Sequence, residues 1–213
     1  MQIVIALFDR FASLDAVGPF QVFNHLPGAK IIFASERHGL IPDESGSLSL
    51  HAEAAYADVP HPHIILVPGG PGQSAQMPPG PLTDWLVAAD KTSTWTTSVC
   101  TGALILAGAG LLTGRDATTH WLAMDELAKL GANPRRERYV FDGKYATGAG
   151  VSAGIDMALA LCAKIAGDEE AKRIQLAIEY DPHPPFNSGS PASAPPELVA
   201  DFRARSRFAR SGA

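Results

Sequence analysis

Cysteine is scarce in this chain: 213 residues hold two, Cys100 and Cys162. Two are too few for a disulfide scaffold, and they stand too far apart for a Cys-x-x-Cys redox or zinc pair. Such usage fits a reducing compartment. Excess positive charge is missing too. The formal net charge is −5 and the pI about 5.8, so there is no electrostatic case for nucleic acid. The one basic cluster, Arg203, Arg205, Arg207 and Arg210, reads as a solvated chain end. No apolar run approaches the roughly 20 residues that span a bilayer. The opening run MQIVIALF has no basic lead and meets Asp9 and Arg10 at once, so it reads as a buried strand rather than a signal peptide. The expectation is a cytoplasmic protein with no membrane partner. A Gly-rich phosphate motif of dinucleotide or P-loop type is absent, and the histidines lack companion ligand spacing. Metal catalysis is not expected.

What the chain does have is an alternation of short apolar runs with longer helix-like segments. Residues 3–8, 30–35, 63–67 and 94–99 read as strands, the first and third apolar on both faces. Segments 15–26, 81–90, 103–110, 121–130, 152–166 and 168–179 read as helices. Residues 45–50 suggest an exposed strand or hairpin, and 138–146 a hairpin turning at Asp142-Gly143. Strands alternating with helices predict an α/β fold with a mostly parallel sheet covered on both faces. Residues 1–180 form the domain; 181–213 form a tail, Pro/Ser-rich and then Arg-rich, expected to be extended.

Ligands of such sheets sit at the carboxyl ends of strands. Two loops of unusual composition lie there, Pro68–Gly72 and Cys100–Gly102. Cys100 follows a β-branched strand directly and a helix starts within two or three residues, the layout of a nucleophile elbow. Helix N–H groups beside the sulfur are expected to lower the thiol pKa. Cys162, inside an apolar helix, reads as packing. The backbone N–H groups of Thr101 and Gly70 are candidate donors to a developing negative charge. Asp15 is either a helix N-cap or a carboxyl group touching the sulfur. His120 is the one histidine placed to reach the site, and Tyr180 is a second candidate for its wall.

These segments together resemble the PfpI-type, class I glutamine-amidotransferase-like superfamily. The residues that carry the likeness are Leu14–Phe23, Val67-Pro68-Gly69-Gly70, Val99–Ala103, Ala107–Gly114, Ala117–Trp121 and Gly148–Met157. Within it, the chain looks most like the isonitrile hydratase branch, through Thr101 after the cysteine, an aspartate at position 15, and the segment Ile178–Phe186. The resemblance implies a flavodoxin-like three-layer sandwich with a cysteine nucleophile elbow, a homodimer and no cofactor. It carries the nucleophile onto Cys100 and the acid–base carboxyl onto Asp15. The expected reaction is hydration of a small-molecule isonitrile to an N-substituted formamide through a thioimidate. Many relatives have glutamate at the Asp15 position, and peptidase-like ones have histidine at the Thr101 position. Glyoxalase, deglycase or amidase chemistry on the same scaffold, and a non-enzymatic redox or ligand sensor, stay open as alternatives.

Overall fold

Apolar residues on both faces of a strand send it to the middle of a sheet, where helices cover both sides. The computed structural model describes residues 1–77 and 79–210. In it β1 (Gln2–Ala6) leads through α1 (Ser13–Phe23) to β2 (Lys30–Ser35). An antiparallel hairpin, β3 (Gly39–Pro42) and β4 (Ser49–Ala52), follows, then the short β5 (Ala54–Ala55) and β6 (Ile64–Val67). Next come α2 (Pro81–Asp90), β7 (Trp95–Val99) and α3 (Gly102–Gly108). The small parallel pair β8 (Asp116–Ala117) and β9 (Asn133–Pro134) flanks α4 (Met124–Lys129). The hairpin β10 (Tyr139–Asp142) and β11 (Tyr145–Gly148) precedes α5 (Ala153–Ala166) and α6 (Asp168–Ala177). A last helix, α7 (Pro196–Arg205), lies in the tail.

The main sheet has seven strands in the order β10-β11-β7-β6-β1-β2-β5. All of its pairings are parallel except β10 with β11. β1 sits centrally, with Ile5 opposite Phe33 on one side and Leu66 on the other. On one face Val22, Phe23, Leu161 and Ile174 of α1, α5 and α6 close over Ile3 and Ile64. On the other, Leu82, Trp85 and Leu86 of α2 and Leu104 and Ile105 of α3 close over Val4 and Ile65. That makes three layers. Burying a side chain such as Ile65 or Leu104 contributes about 1.5–3 kcal/mol each.

Two segments depart from the sequence expectation. The helix expected over 121–130 is split: a 3-10 turn (Trp121–Ala123) precedes α4 because the His120 ring accepts the Leu122 N–H and closes the tighter turn. The tail is not simply extended. Pro196 stands at the first position of α7, where its missing N–H costs nothing, and a 3-10 turn (Arg207–Arg210) follows. The side chain of Arg210 and residues 211–213 lie outside the described residues.

Candidate functional site

β7 delivers Cys100 to a turn that ordinary residues avoid. Its φ is 56°, in the left-handed region, which costs a non-glycine residue about 1–3 kcal/mol. The surroundings hold it there. The Cys100 N–H donates to the Gly148 and Ala149 carbonyls at 3.0 and 2.8 Å, and the Thr119 hydroxyl donates to the Cys100 carbonyl at 2.8 Å. The residue is buried, with α3 starting two positions on at Gly102.

Asp15 meets it from the first turn of α1. It is not an N-cap: the cap position is Ala12, and the Ser13 N–H is taken by Glu44 Oε2 at 2.9 Å. The carboxyl is fully buried, and Oδ2 accepts the Gly69 N–H at 2.8 Å. Oδ1 makes no geometrically complete hydrogen bond, while the carboxyl as a whole interacts with the Cys100 thiol. Burial pushes the Asp15 pKa up to about 7, against the pull of the Gly69 N–H and with a further push from Glu44. Burial likewise pushes the Cys100 thiol well above its ordinary range, and the Asp15 charge adds to it. The Thr101 N–H and the Arg207 charge pull the other way. The sequence expectation of a lowered thiol pKa is therefore corrected. The N–H contribution is present, but loss of water around the sulfur outweighs it. Double ionisation of the pair is disfavoured by burial and by mutual repulsion alike.

The glycine loop supports both groups. A Cβ on Gly69 would stand 2.5 Å from the Thr101 nitrogen and 3.0 Å from Asp15 Oδ2, so only a bare backbone fits between them. Gly70 has φ 125°, a region side chains rarely adopt, and a Cβ there would meet the Ala12 nitrogen at 2.4 Å. Its N–H, expected as a donor to a developing charge, donates to Thr101 Oγ1 at 3.0 Å. The Thr101 hydroxyl is thus held by the loop rather than by the sulfur, and the Thr101 N–H is the donor directed at the thiol.

His120 heads the turn just after Thr119. Burial, then the Arg207 charge, lowers its pKa, so it is neutral at pH 7. It lines a cavity of about 250 Å³ with Trp121, Pro191, Leu198 and Phe202; Cys100 does not line it. Tyr180 is engaged by Asp156 and Arg138. Among the described residues no cluster of three or more His, Cys, Asp or Glu could hold a metal ion, and no helix is long and apolar enough to cross a membrane.

The sequence pattern of the DJ-1/PfpI family matches residues 1–164. The chain belongs to the DJ-1/PfpI family. It is 40% identical over 206 residues to the isonitrile hydratase of Pseudomonas putida, covering 96% of this chain and 90% of that one. A crystal structure of a THiJ/PfpI family protein from Pseudomonas syringae superposes with a TM-score of 0.92 at 35% identity, covering 95% of this chain and 84% of the other. The transcriptional regulator GlxA of Rhizobium meliloti is 29% identical over 81% of this chain, which spans only 54% of that regulator. The flavodoxin-like α/β sandwich of the DJ-1/PfpI family is therefore the fold of this chain.

Asp15, Gly70, Cys100, Thr101 and His120 all fall within the span matched to the DJ-1/PfpI family. Arg207 does not, and the sequence reading missed it. Its guanidinium donates to the carbonyls of Pro71 and Gly70 at 2.8 and 3.1 Å, and to Gln73 Oε1 at 3.2 Å. Of the basic cluster read as a solvated end, this residue is instead tied to the glycine loop. Thr119, which fastens the Cys100 carbonyl, was missed as well. Its sequence signal is only its place in the Ala117–Trp121 segment, next to His120.

Proposed function

We propose that this DJ-1/PfpI chain is an enzyme that hydrates isonitriles to N-substituted formamides, with Cys100 as nucleophile and Asp15 as acid–base group. The observation that carries it is a buried carboxyl with a pKa of about 7, touching a thiol on a strained turn. Its 40% identity to a Pseudomonas putida isonitrile hydratase, along nearly the whole chain, supports the substrate class.

Two buried acids that resist double ionisation retain one proton between them near neutrality. The reactive arrangement has that proton on Asp15 and the negative charge on sulfur, held by the Thr101 N–H. The thiolate attacks the terminal carbon of R–N≡C, forming the C–S bond, and Asp15 gives its proton to the same carbon. The product is a thioimidate, R–N=CH–S–Cys100. The Asp15 carboxylate then takes a proton from water as the hydroxide oxygen bonds to carbon, and passes that same proton to the nitrogen. Collapse of R–NH–CH(OH)–S–Cys100 breaks the C–S bond, releases R–NH–CHO and returns the proton to the pair. Covalent catalysis divides one hard addition into two easier ones. Gly70 serves by fixing Thr101, and its N–H reaches a substrate only if the threonine hydroxyl lets go. His120, neutral, lines the separate cavity beside Trp121, and no step uses it. No cofactor enters these steps.

A homodimer in the cytoplasm, taking a small-molecule isonitrile, completes the proposal. Two free cysteines suit a reducing compartment. Light scattering at a monomer's mass would remove the dimer. Mixing purified protein with alkyl and aryl isonitriles and following formamide tests the activity. Turnover that disappears in Cys100→Ala is expected; no turnover across the series, or full turnover in the variant, would overturn it.

A further inference from the structure

The C-terminal turn brings a cation to this site, and no step of the hydration above uses it. Arg207 is placed there by the packing of the tail. Phe202 of α7 meets the Trp121 ring edge-on at 6.5 Å, Arg203 lies over the same ring at 5.9 Å, and Phe208 rests against the main core. The guanidinium then finds three acceptors, all on one loop: Gly70 O, Pro71 O and Gln73 Oε1. Gln73 is itself buried, 1% exposed, with its amide nitrogen turned to Met77 Sδ, so its oxygen has a fixed direction. A planar fork suits several carbonyls at once in a way a lysine ammonium does not. The same loop holds Asp15 through the Gly69 N–H and Thr101 through the Gly70 N–H.

We propose that Arg207 is a positioning residue of the Cys100 site, its fork clasping the glycine loop that holds Asp15 and Thr101 in place around the sulfur, so that the thiolate depends on the tail. This rests on Cys100 reacting as a thiolate. The charged and titratable groups around that sulfur are few. Asp15 acts on it from α1, with Glu44 behind; the Arg207 charge acts on it from the tail, and Arg10 and the neutral His120 feel that same arginine. Asp15 opposes the thiolate and Arg207 favours it. Because the arginine remains partly exposed, water screens it, and its pull on the sulfur is small beside that of burial.

The test is the pH profile of iodoacetamide alkylation at Cys100, in the full chain carrying Cys162→Ala so that one thiol reports. Arg207→Gln is expected to raise the midpoint by about half a unit to one unit and to slow alkylation below it about three- to tenfold. Arg207→Lys keeps the charge and should restore the midpoint while leaving formamide turnover reduced, since the fork is gone. An unmoved midpoint in Arg207→Gln overturns the proposal, as does equal slowing in both variants with no shift. Salt gives a second measure on the unsubstituted arginine. Raising ionic strength screens an exposed charge, so the midpoint should climb with salt; a salt-independent midpoint also overturns it. Alkylation needs no isonitrile. A protein that hydrates none, yet shows the shift, removes the hydratase proposal alone; an active protein with no shift removes this one alone.

Discussion

Cys100 and Cys162 are both buried, and burial pushes both thiols up, Cys162 to about 12. By burial and direction of shift they look alike. Their surroundings differ in kind. Cys162 sits within α5 among Leu161, Ala158 and Ile174, on regular helix, with the Glu170 charge felt at the sulfur but, among the described residues, no carboxyl hydrogen-bonded to it. Cys100 sits at φ 56°, with a carboxyl touching its sulfur and a backbone N–H aimed at it. A buried thiol is inert when no neighbour is hydrogen-bonded to it that can take or give its proton. It becomes usable when a second acid shares the burial, because the two resist ionising together and a proton can pass between them. Perturbation alone does not mark a site; a perturbed pair does.

The sharpest break of that contrast is to remove each sulfur in turn. Cys100→Ala is expected to lower formamide formation by at least about a thousandfold, and Cys162→Ala to leave it near the unsubstituted rate. Comparable losses in both would mean that the difference in surroundings carries no chemistry.

The second strike is at the partner. Asp15→Asn keeps an acceptor for the Gly69 N–H but removes the proton traffic, so turnover should fall by about a hundred- to ten-thousandfold. Stability should move oppositely. In the unfolded chain Asp15 loses its proton near 3.8, and in the fold near 7. Between these values the folded state binds more protons, so the stability held below pH 4 is lost as pH rises through 7, by on the order of 4 kcal/mol. Asparagine has no such loss. Thermal melts above pH 7 should therefore show Asp15→Asn to be the more stable protein, and a melting curve that tracks the parent at every pH would show the carboxyl to be ionised at no cost.

Much of this was readable beforehand. The strands at 3–8 and 63–67 are apolar on both faces, and that fixes their place in a parallel sheet. Cys100 at a strand end, the Pro68–Gly72 loop and Asp15 near a helix start were each visible as local patterns. The direction of the thiol shift was not, because burial is a sum over neighbours distant in sequence, whereas the helix terminus beside the sulfur is local. Arg207 was invisible for a related reason: nothing around it says that the chain returns to residues 70–73. A signal for α7 does exist, in Pro196 at its first position, Glu197 in its first turn and Arg203 and Arg205 in its last, charges that suit the helix dipole. The Pro- and Ser-rich run before it obscured the pattern.

Gly70 sharpens the comparison from the backbone side, since the Cys162 region has no counterpart to it. Gly70→Ala must find room where Ala12, Arg10 and Phe11 backbone atoms stand within 2.7 Å, at a φ of 125°. The expected cost is about 3 kcal/mol, with the Thr101 hydroxyl freed from its partner. Chemical denaturation reads the first effect, and a changed pH profile of Cys100 alkylation reads the second. An alanine variant as stable as the parent would mean that the loop has slack.

The smallest expected effect belongs to Cys162. Its replacement by alanine deletes one sulfur from a packed layer, which should cost about 1 kcal/mol, a shift of about 2–4 °C in the melting midpoint for a domain of this size. Serine differs only in offering a hydroxyl, and the surrounding Leu161, Ala158 and Ile174 side chains give it nothing to bond. It should cost more than alanine, by about 1–2 kcal/mol. If serine were instead the better tolerated of the two, a polar partner would have to lie within reach of Cys162. The apolar surroundings that separate it from Cys100 would then no longer explain why one thiol is packing and the other chemistry.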